Sequence, residues 1–209
     1  MSQRHGKGSA ERRTQQQRVE ESARRLAAAA VDLIVEKGYA HTTAKDISLR
    51  AGYSRAMVAE RYGSKEALLD ALMNEYEGRI VVEVNPGATG FDKVMAPLYA
   101  MVRFEREDPI FLRAMYVISF EAVHDEGALR DRIREWLMRF RQALKAGIEE
   151  GHQDGSVSAQ VDADDFSREI LTSGVGYAYW WVVVPYDIDF SATLARWRER
   201  IARALRPTE

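Results

Sequence analysis

Apolar residues recur three and four positions apart through most of this chain, and this spacing constrains its fold more than any other feature. The clearest stripe comprises Leu129, Ile133, Trp136, Leu137, Phe140, Leu144 and Ile148. Such spacing puts apolar side chains on one face of an α-helix, whereas a half-buried β-strand needs strict alternation. No segment of the sequence sustains that alternation. We therefore expect an all-α fold of about nine helices.

Turn and capping residues divide this pattern near the N-terminus. Residues 1–17 are polar and lack an apolar period, so we expect a flexible basic arm there. Residues 18–84 are expected to form four helices. The second begins with a Thr-x-x-Asp capping box at Thr43, and Ser54 and Ser64 are expected to cap the third and fourth.

The strongest break in the chain is the Val-Asn-Pro-Gly sequence at 84–87, where we place a domain boundary. Residues 85–209 are then a second, helical domain. Within it, the polar residues 152–155 predict a loop, and Ser191 is expected to cap the last helix.

Composition limits the function classes. The 209 residues include no cysteine, which excludes disulfides and cysteine nucleophiles. The first 25 residues contain no apolar core of a secretory signal, so we expect a cytoplasmic protein. The apolar run at 170–184 is about fifteen residues long, whereas a transmembrane helix needs about twenty. We expect that run to be buried against protein.

The net charge of −2 hides an uneven distribution. Residues 1–65 contain 13 Lys and Arg and 7 Asp and Glu, a net charge of +6, and the remainder carries −8. Because Lys and Arg dominate affinity for phosphate backbones, we expect only the first segment to meet a polyanion.

A helix-turn-helix is expected within that basic segment. Its two short helices are joined by Ala51-Gly52-Tyr53-Ser54, with glycine where the chain must reverse tightly. The second helix of such a unit enters the major groove of DNA. Its positions Ala56 and Glu60 lie opposite the face of Val58 and Tyr62, which we expect to be core.

Several short motifs over residues 18–76 resemble the TetR family of tetracycline-repressor-like regulators. They are Gly38-Tyr39, Thr42-Thr43, Asp46-Ile47, Arg50-Ala51-Gly52-Tyr53-Ser54 and Tyr62-Gly63-Ser64-Lys65-Glu66-Ala67-Leu68-Leu69. The resemblance implies an N-terminal three-helix DNA-binding domain, continued by a connecting fourth helix, and a C-terminal domain for effector binding and dimerisation. It implies a transcription regulator, most simply a repressor that binds a palindromic operator as a homodimer.

The resemblance also implies which residues contact DNA. Lys65 matches a phosphate-contacting lysine at the start of the fourth helix, and Lys45 matches a position that often reaches DNA. Arg55 either reads guanine in the groove or contacts a phosphate. The full set of expected DNA contacts is Thr43, Lys45, Ser54, Arg55, Ala56, Met57, Ala59, Glu60, Arg61 and Lys65.

Three positions depart from the usual family pattern. Ala59 replaces a frequent tyrosine and Arg61 a frequent histidine, which suggests that a phosphate contact has moved to Arg61. Glu60 either accepts a hydrogen bond from cytosine N4 or, as we favour, forms an ion pair with Arg55 or Arg61. Ser48 stands where alanine is usual, a change that a helix facing partly outward can absorb.

The arm contains four arginines with two possible roles. They either lie along the minor groove, as homeodomain arms do, or belong to a solvated tail that raises the association rate, which we favour. These arginines are Arg4, Arg12, Arg13 and Arg18.

The resemblance implies that the last two helices form the dimer interface. Residues 170–181 are apolar nearly all round, and such a helix needs cover on more than one side. The expected interface residues are Ile170, Gly174, Tyr177, Ala178, Trp181, Leu194, Trp197 and Ile201.

The effector site implied by the resemblance would be mainly apolar, which predicts an apolar or aromatic effector. Its candidate lining residues are Met101, Phe104, Phe111, Met115, Phe120, Trp136, Phe140, Tyr177 and Trp180. Each of them also fits ordinary core. We expect no cofactor and no metal, because His124, Asp125 and Glu126 are adjacent residues of a loop, where such residues are usually solvated.

Other function classes remain as alternatives. An enzyme is disfavoured because the four histidines are far apart and no phosphate loop, dinucleotide fingerprint or nucleophile elbow occurs. The stronger alternatives share the fold: an architectural DNA-binding protein, or a repressor without an effector.

Overall fold

The computed structural model describes residues 14–81, 83–124 and 127–207. These residues form nine α-helices and one short 3-10 helix at Ala122–His124, and no strand occurs among them. The α-helices are α1 (Gln15–Lys37), α2 (Ala44–Arg50), α3 (Met57–Tyr62), α4 (Lys65–Ile80), α5 (Gly90–Glu107), α6 (Pro109–Glu121), α7 (Ala128–Asp154), α8 (Ala163–Val183) and α9 (Phe190–Leu205). The predicted all-α fold is confirmed.

Helix α1 begins earlier than predicted, so the last three residues of the expected arm are helical. Thr14 accepts a hydrogen bond from the Gln17 amide, and the Gln17 side chain accepts one from the Thr14 amide. This capping box satisfies two amides that the helix end would otherwise leave unpaired. Arg18 therefore lies on α1, whereas Arg4, Arg12 and Arg13 lie outside the described residues.

Capping contacts account for the other helix starts. Thr43 and Ser64 cap α2 and α4 as predicted. Asp189, not Ser191, caps α9, because its carboxylate accepts the Ala192 amide at 2.9 Å. The prediction of a loop at 152–155 is wrong for its first three residues, since α7 continues to Asp154 and ends at Gly155, which adopts a left-handed conformation.

Helices α1 to α4 enclose one end of the apolar core. Leu26, Ile34, Ile47, Val58 and Leu68 each have at most 2% of their surface exposed. Because α4 then continues toward the rest of the chain, its buried residues extend this core into that of the later helices. Helix α6 packs along α1, which gives a second link between the two regions.

The later helices pack closely where glycines face each other. A Cβ atom on Gly90 of α5 would lie 2.0 Å from the Gly151 amide nitrogen of α7, so only glycine fits. Helices α8 and α9 lie against α5, α6 and α7. No helix in the described part of the chain is long and apolar enough to cross a membrane.

Candidate nucleic-acid interface

The third helix, α3, is short and begins without a side-chain cap of its own. Its N-cap residue is Ala56, whose methyl side chain cannot accept a hydrogen bond from the first amides of the helix. The prediction that Ser54 caps this helix is wrong. The Ser54 carbonyl instead accepts the Met57 amide at 3.1 Å, because residues 54–57 form a tight turn before the helix begins.

Ser48 of α2 supplies the missing hydrogen bond to α3. Its hydroxyl donates to the Ala44 carbonyl at 2.9 Å and accepts the Val58 amide at 3.1 Å. Ser48 is fully buried, so the expectation that this position faces partly outward is wrong. The bond satisfies an N-terminal amide of α3 and sets the position of that helix against α2. Only the fold reveals it, because ten residues separate the two partners.

One face of α3 and of the turn before it is exposed. Val58 points into the core with no exposed surface, while Met57 is half-buried. The exposed members of the predicted DNA contacts are Thr43, Lys45, Ser54, Arg55, Ala56, Ala59 and Glu60. The small side chains of Ala56 and Ala59 leave the α3 backbone open to close approach by a partner.

Glu60 has no ion pair within the described ranges, so the favoured pairing with Arg55 or Arg61 is not formed here. The interpretation that Glu60 accepts from cytosine therefore stays open. Arg61 is half-buried, and its Nε atom is buried without a hydrogen-bond partner among the described residues.

Two ion pairs join α1 to α2 beside this face. Lys37 contacts Asp46 at 2.7 Å, and Arg50 contacts both carboxylate oxygens of Glu36 at 2.7 Å. The Lys37 hydrogen bond lowers the pKa of Asp46, and the Arg50 hydrogen bond lowers the pKa of Glu36. Two of the basic charges in this region are thus matched within the chain, while Lys45 and Arg55 remain exposed.

Lys65 lies at the first position of α4 and is half-buried. Its ammonium group donates to the Tyr39 carbonyl at 3.2 Å and lies 4.0 Å from the centre of the Tyr39 ring. An ammonium at a helix N-terminus beside exposed backbone amides favours an anion nearby.

A small cavity of about 40 Å³ lies between α4, α5, α6, α7, α8 and α9. Its lining residues are Tyr76, Pro97, Leu98, Met101, Tyr116, Trp136, Phe140, Ile170, Leu171, Gly174, Val175, Leu194 and Trp197. None of them is charged. Of the predicted pocket residues, Met101, Trp136 and Phe140 line this cavity.

The other predicted pocket residues lie elsewhere. The rings of Phe104 and Phe111 lie beneath the Arg79 guanidinium, at 4.6 and 4.9 Å. Met115 is buried core, and Phe120 packs edge-on against Tyr179. The remaining two are Tyr177, which accepts from Arg200 at 2.6 Å, and Trp180, which is 48% exposed and donates to Asp187. Helical spacing alone could not separate cavity-lining residues from ordinary core.

The polar groups of the cavity are neutral. Burial raises the pKa values of Tyr76 and Tyr116, so both phenols stay protonated. The Tyr116 hydroxyl donates to the Met101 sulfur at 3.6 Å. The buried indole nitrogen of Trp136 has no acceptor within the part of the chain that the structure describes.

Most of the predicted interface residues are already covered by the chain itself. Trp181 stacks on Phe190 with ring centroids 4.3 Å apart, and Gly174 leaves room for the Trp197 ring, which would lie 3.3 Å from a Cβ atom there. The Tyr177 hydroxyl is covered by Arg200, from which it accepts a hydrogen bond. The buried members of the set are Ile170, Ala178, Leu194, Trp197 and Ile201.

A different face of α8 is exposed. Its residues recur in successive helical turns at 172, 176, 179–180 and 183. Three of them are large and apolar: Tyr179, Trp180 and Val183, which are 54%, 48% and 56% exposed. We call this the outer α8 face, and it comprises Thr172, Gly176, Tyr179, Trp180 and Val183. The residues that follow it, Val184 and Tyr186, are exposed as well.

No cluster of His, Cys, Asp and Glu that could hold a metal ion occurs among the described residues. His124 ends the 3-10 helix, and the two residues that follow it in the sequence, Asp125 and Glu126, lie outside the described ranges.

Comparisons with known proteins agree with this architecture in both halves of the chain. A family profile described as "Bacterial regulatory proteins, tetR family" matches residues 26–72. A second profile, described as "Tetracyclin repressor-like, C-terminal domain", matches residues 112–179. The first covers the helices around the exposed α3 face, and the second covers most of α6 to α8.

One curated relative is an uncharacterized HTH-type transcriptional regulator, YvkB, from Bacillus subtilis (strain 168). It is 36% identical over 53 residues, which is 25% of this chain and 28% of that protein. The match therefore spans just over a quarter of the relative's length.

Two solved structures are similar over nearly the whole chain. The TetR transcription regulator from Haloarcula marismortui ATCC 43049 is 26% identical, with a TM-score of 0.70, over 90% of this chain and 99% of that one. The MbdR regulator from Azoarcus sp. CIB is 19% identical, with a TM-score of 0.71, over 88% and 98% of the two chains. The likeness extends over about nine-tenths of the chain and not over the DNA-binding motif alone.

Proposed function

We propose that this chain, which belongs to the TetR family of DNA-binding transcription regulators, is a homodimeric repressor that binds a palindromic operator and is released by a small neutral ligand. The family is a class of regulators and not of enzymes. The observation that carries the proposal is the exposed face of α3, which Ser48 anchors to α2 while leaving Arg55, Ala56 and Ala59 open.

Groove reading by α3 is supported by what is exposed and what is not. Val58 anchors the inner face in the core, so the opposite face is available to base edges. Arg55 and Lys45 are exposed cations, and Lys65 lies at a helix N-terminus that favours a phosphate. The proposed DNA contacts are Thr43, Lys45, Ser54, Arg55, Ala56, Met57, Ala59, Glu60, Arg61 and Lys65.

Dimerisation is proposed through the outer α8 face. A surface on which residues 179–183 expose three large apolar side chains is typical of a protein–protein contact. Gly176 on the same face has open space in front of its backbone, which would let a second helix approach closely. A two-fold dimer would carry two α3 helices, and two-fold symmetry implies a palindromic operator.

The ligand is proposed to be neutral because the cavity has no charged lining residue. A carboxylate or ammonium group would lose its hydration there without gaining a partner. The unpaired indole N–H of Trp136 suits a ligand that offers a hydrogen-bond acceptor.

The size of the cavity favours a second candidate function, a repressor of the same fold without an effector. About 40 Å³ is far smaller than the roughly 300–1,000 Å³ of typical ligand sites. Ligand release therefore requires the cavity to expand, with α8 as the wall whose residues Leu171, Gly174 and Val175 are only half-buried.

The deciding experiment is a footprint on DNA flanking the chain's own gene. We expect one short palindromic site and protection that weakens when neutral aromatic ligands are added. Uniform protection with a steep salt dependence would support an architectural protein instead. A specific site that no ligand releases would support the repressor without an effector.

A variant pair tests groove reading at that site. Arg55→Ala is expected to lose about 1–3 kcal/mol of discrimination at one base position if Arg55 reads guanine, and to weaken all sequences equally if it contacts phosphate. Arg134→Ala, which removes an exposed arginine of α7, is the control and should leave both the base discrimination and the overall DNA affinity unchanged.

A further inference from the structure

The carboxylate of Glu121, the last residue of α6, lies in the turn between α1 and α2. One oxygen accepts the Tyr39 amide at 3.2 Å, and the other accepts the Ala40 amide at 2.9 Å. Glu121 is 82 residues from Tyr39 in the sequence, so this contact joins α6 to the DNA-binding helices. Charge-assisted bonds of this kind are stronger than neutral ones.

The turn is shaped to admit this carboxylate. Gly38 has φ of +82°, and a Cβ atom there would lie 2.2 Å from a Glu121 oxygen. Any other residue would be strained and would displace the carboxylate. The buried Thr42 hydroxyl donates to the Gly38 carbonyl at 2.7 Å, which closes the turn on its other side.

Tyr39 links this turn to the start of α4. Its amide binds Glu121, while its carbonyl accepts from Lys65 and its ring lies beneath the Lys65 ammonium group. Tyr39 is thus held from both sides. A shift of the turn would move the groups that position Lys65.

The helix that ends at Glu121 also lines the cavity. Tyr116 is five residues earlier on α6, about 7.5 Å along the helix axis, and it is one of the cavity's lining residues. One helix therefore carries both a wall residue of the cavity and the Glu121 carboxylate.

From these contacts we infer that Glu121 is a positioning residue for DNA binding: it fixes the Tyr39–Ala40 turn and, through Tyr39, holds Lys65 where a phosphate can reach it. The inference rests on the proposed DNA-binding function. It assigns to one carboxylate the contact that fixes this turn against α6, with Gly38 as the residue that makes room for it.

The first test needs neither DNA nor ligand. Glutamine at position 121 keeps one acceptor oxygen but turns an NH₂ group toward the second amide. In Glu121→Gln we expect amide hydrogen exchange at Tyr39 or Ala40 to be about tenfold faster, the consequence of one lost charge-assisted bond. Glu149→Gln, an exposed glutamate of α7, is the matched control and should leave these amides unchanged. Equal exchange in both variants would show that the Glu121 carboxylate does not hold the Tyr39–Ala40 turn, and would overturn the inference.

The second test measures whether Glu121 acts through Lys65. On the operator fragment found by footprinting, Glu121→Gln should weaken binding about tenfold, and Glu149→Gln should not. In the double variant with Lys65→Ala, we expect no loss beyond that of Lys65→Ala alone, because both changes remove the same contact.

A merely structural role would give a different pattern. If the losses of Glu121→Gln and Lys65→Ala multiply, Glu121 does not work through Lys65 and the inference is overturned. The two proposals fail separately: if no specific DNA site exists, the proposed function is lost, whereas the exchange measurement still decides whether Glu121 holds the turn.

Discussion

The DNA-binding helices α1 to α4 and helix α8 differ in how much of their apolar surface the chain itself covers. Helix α4 buries six of its 16 residues, all of them apolar or aromatic. Helix α8 buries only three of 21, although its sequence is more apolar, and leaves Tyr179, Trp180 and Val183 exposed. The chain itself covers the apolar residues of the first region, whereas it leaves an apolar outer face of α8 uncovered.

This difference explains why apolar helical spacing predicted the buried face in the first region but not in α8. In a helix with one apolar stripe, the stripe identifies the buried face. In a helix that is apolar nearly all round, sequence spacing does not say which side meets the chain's own helices and which side meets a partner. The predictions below test the comparison, beginning with the largest expected effect.

Truncating the core of the first region should cost the most. Leu26 of α1 is fully buried, so Leu26→Ala is expected to lower the free energy of unfolding by about 2–5 kcal/mol through lost burial and a cavity. Urea denaturation followed by circular dichroism measures it. A loss below 1 kcal/mol would mean that this region is not the tightly packed unit described here.

A charge on the outer α8 face should separate the protomers. Val183→Glu puts a carboxylate into the proposed interface, and we expect the dimer dissociation constant to rise at least about 100-fold, because a buried unpaired charge costs several kcal/mol. Sedimentation equilibrium measures this constant. Met138→Glu is the matched control, since Met138 of α7 is equally exposed at 55% but lies outside that face. An unchanged dimer in Val183→Glu would exclude this face as the interface.

Removing the Ser48 hydroxyl should destabilise the packing of α3 against α2. Ser48→Ala leaves the buried Val58 amide without an acceptor, which we expect to cost about 1–3 kcal/mol of stability. Ser54→Ala, at the exposed serine that does not cap α3, should cost less than about 0.5 kcal/mol. Urea titrations of both variants compare them, and equal losses would show that the Ser48 bond does not anchor α3.

The smallest effect is expected from pH. Because the Lys37 hydrogen bond lowers the pKa of Asp46 below its ordinary value of 3.8, the pair stabilises the fold above that value. The contribution is lost as the pH falls through the lowered pKa. Asp46→Asn should therefore reduce the difference in urea midpoint between pH 7 and pH 2.5. If the urea midpoint of Asp46→Asn changes between these two pH values as much as that of the unsubstituted chain, groups other than Asp46 cause the acid sensitivity.

Much of the fold was predictable from local signals. Thr43, Ser64 and the apolar stripes are recognised within a few residues of sequence, since a cap or a stripe acts over one or two helical turns. The Ser54 and Ser191 predictions failed because neighbouring residues compete for the same role: a turn takes up Ser54, and Asp189 caps α9 two residues earlier.

The candidate site was predictable only in part. The exposed α3 face follows from the position of Val58 in the helical period. Ser48, in contrast, looked like a tolerant surface position, because its partner Val58 belongs to a different helix. The cavity shared only Met101, Trp136 and Phe140 with the predicted pocket, since every buried aromatic residue has the same spacing whether it faces a cavity or packed core.

The sequence by itself therefore determined the all-helical fold, the family and the location of the DNA-binding helices, because periodicity, caps and turn glycines act locally. Only the tertiary structure decided which face of α8 is left uncovered, which serine holds α3 and that Glu121 reaches the turn at Gly38. Those contacts join residues that are far apart in the chain. Their geometry depends on how whole helices pack, and no local pattern records it.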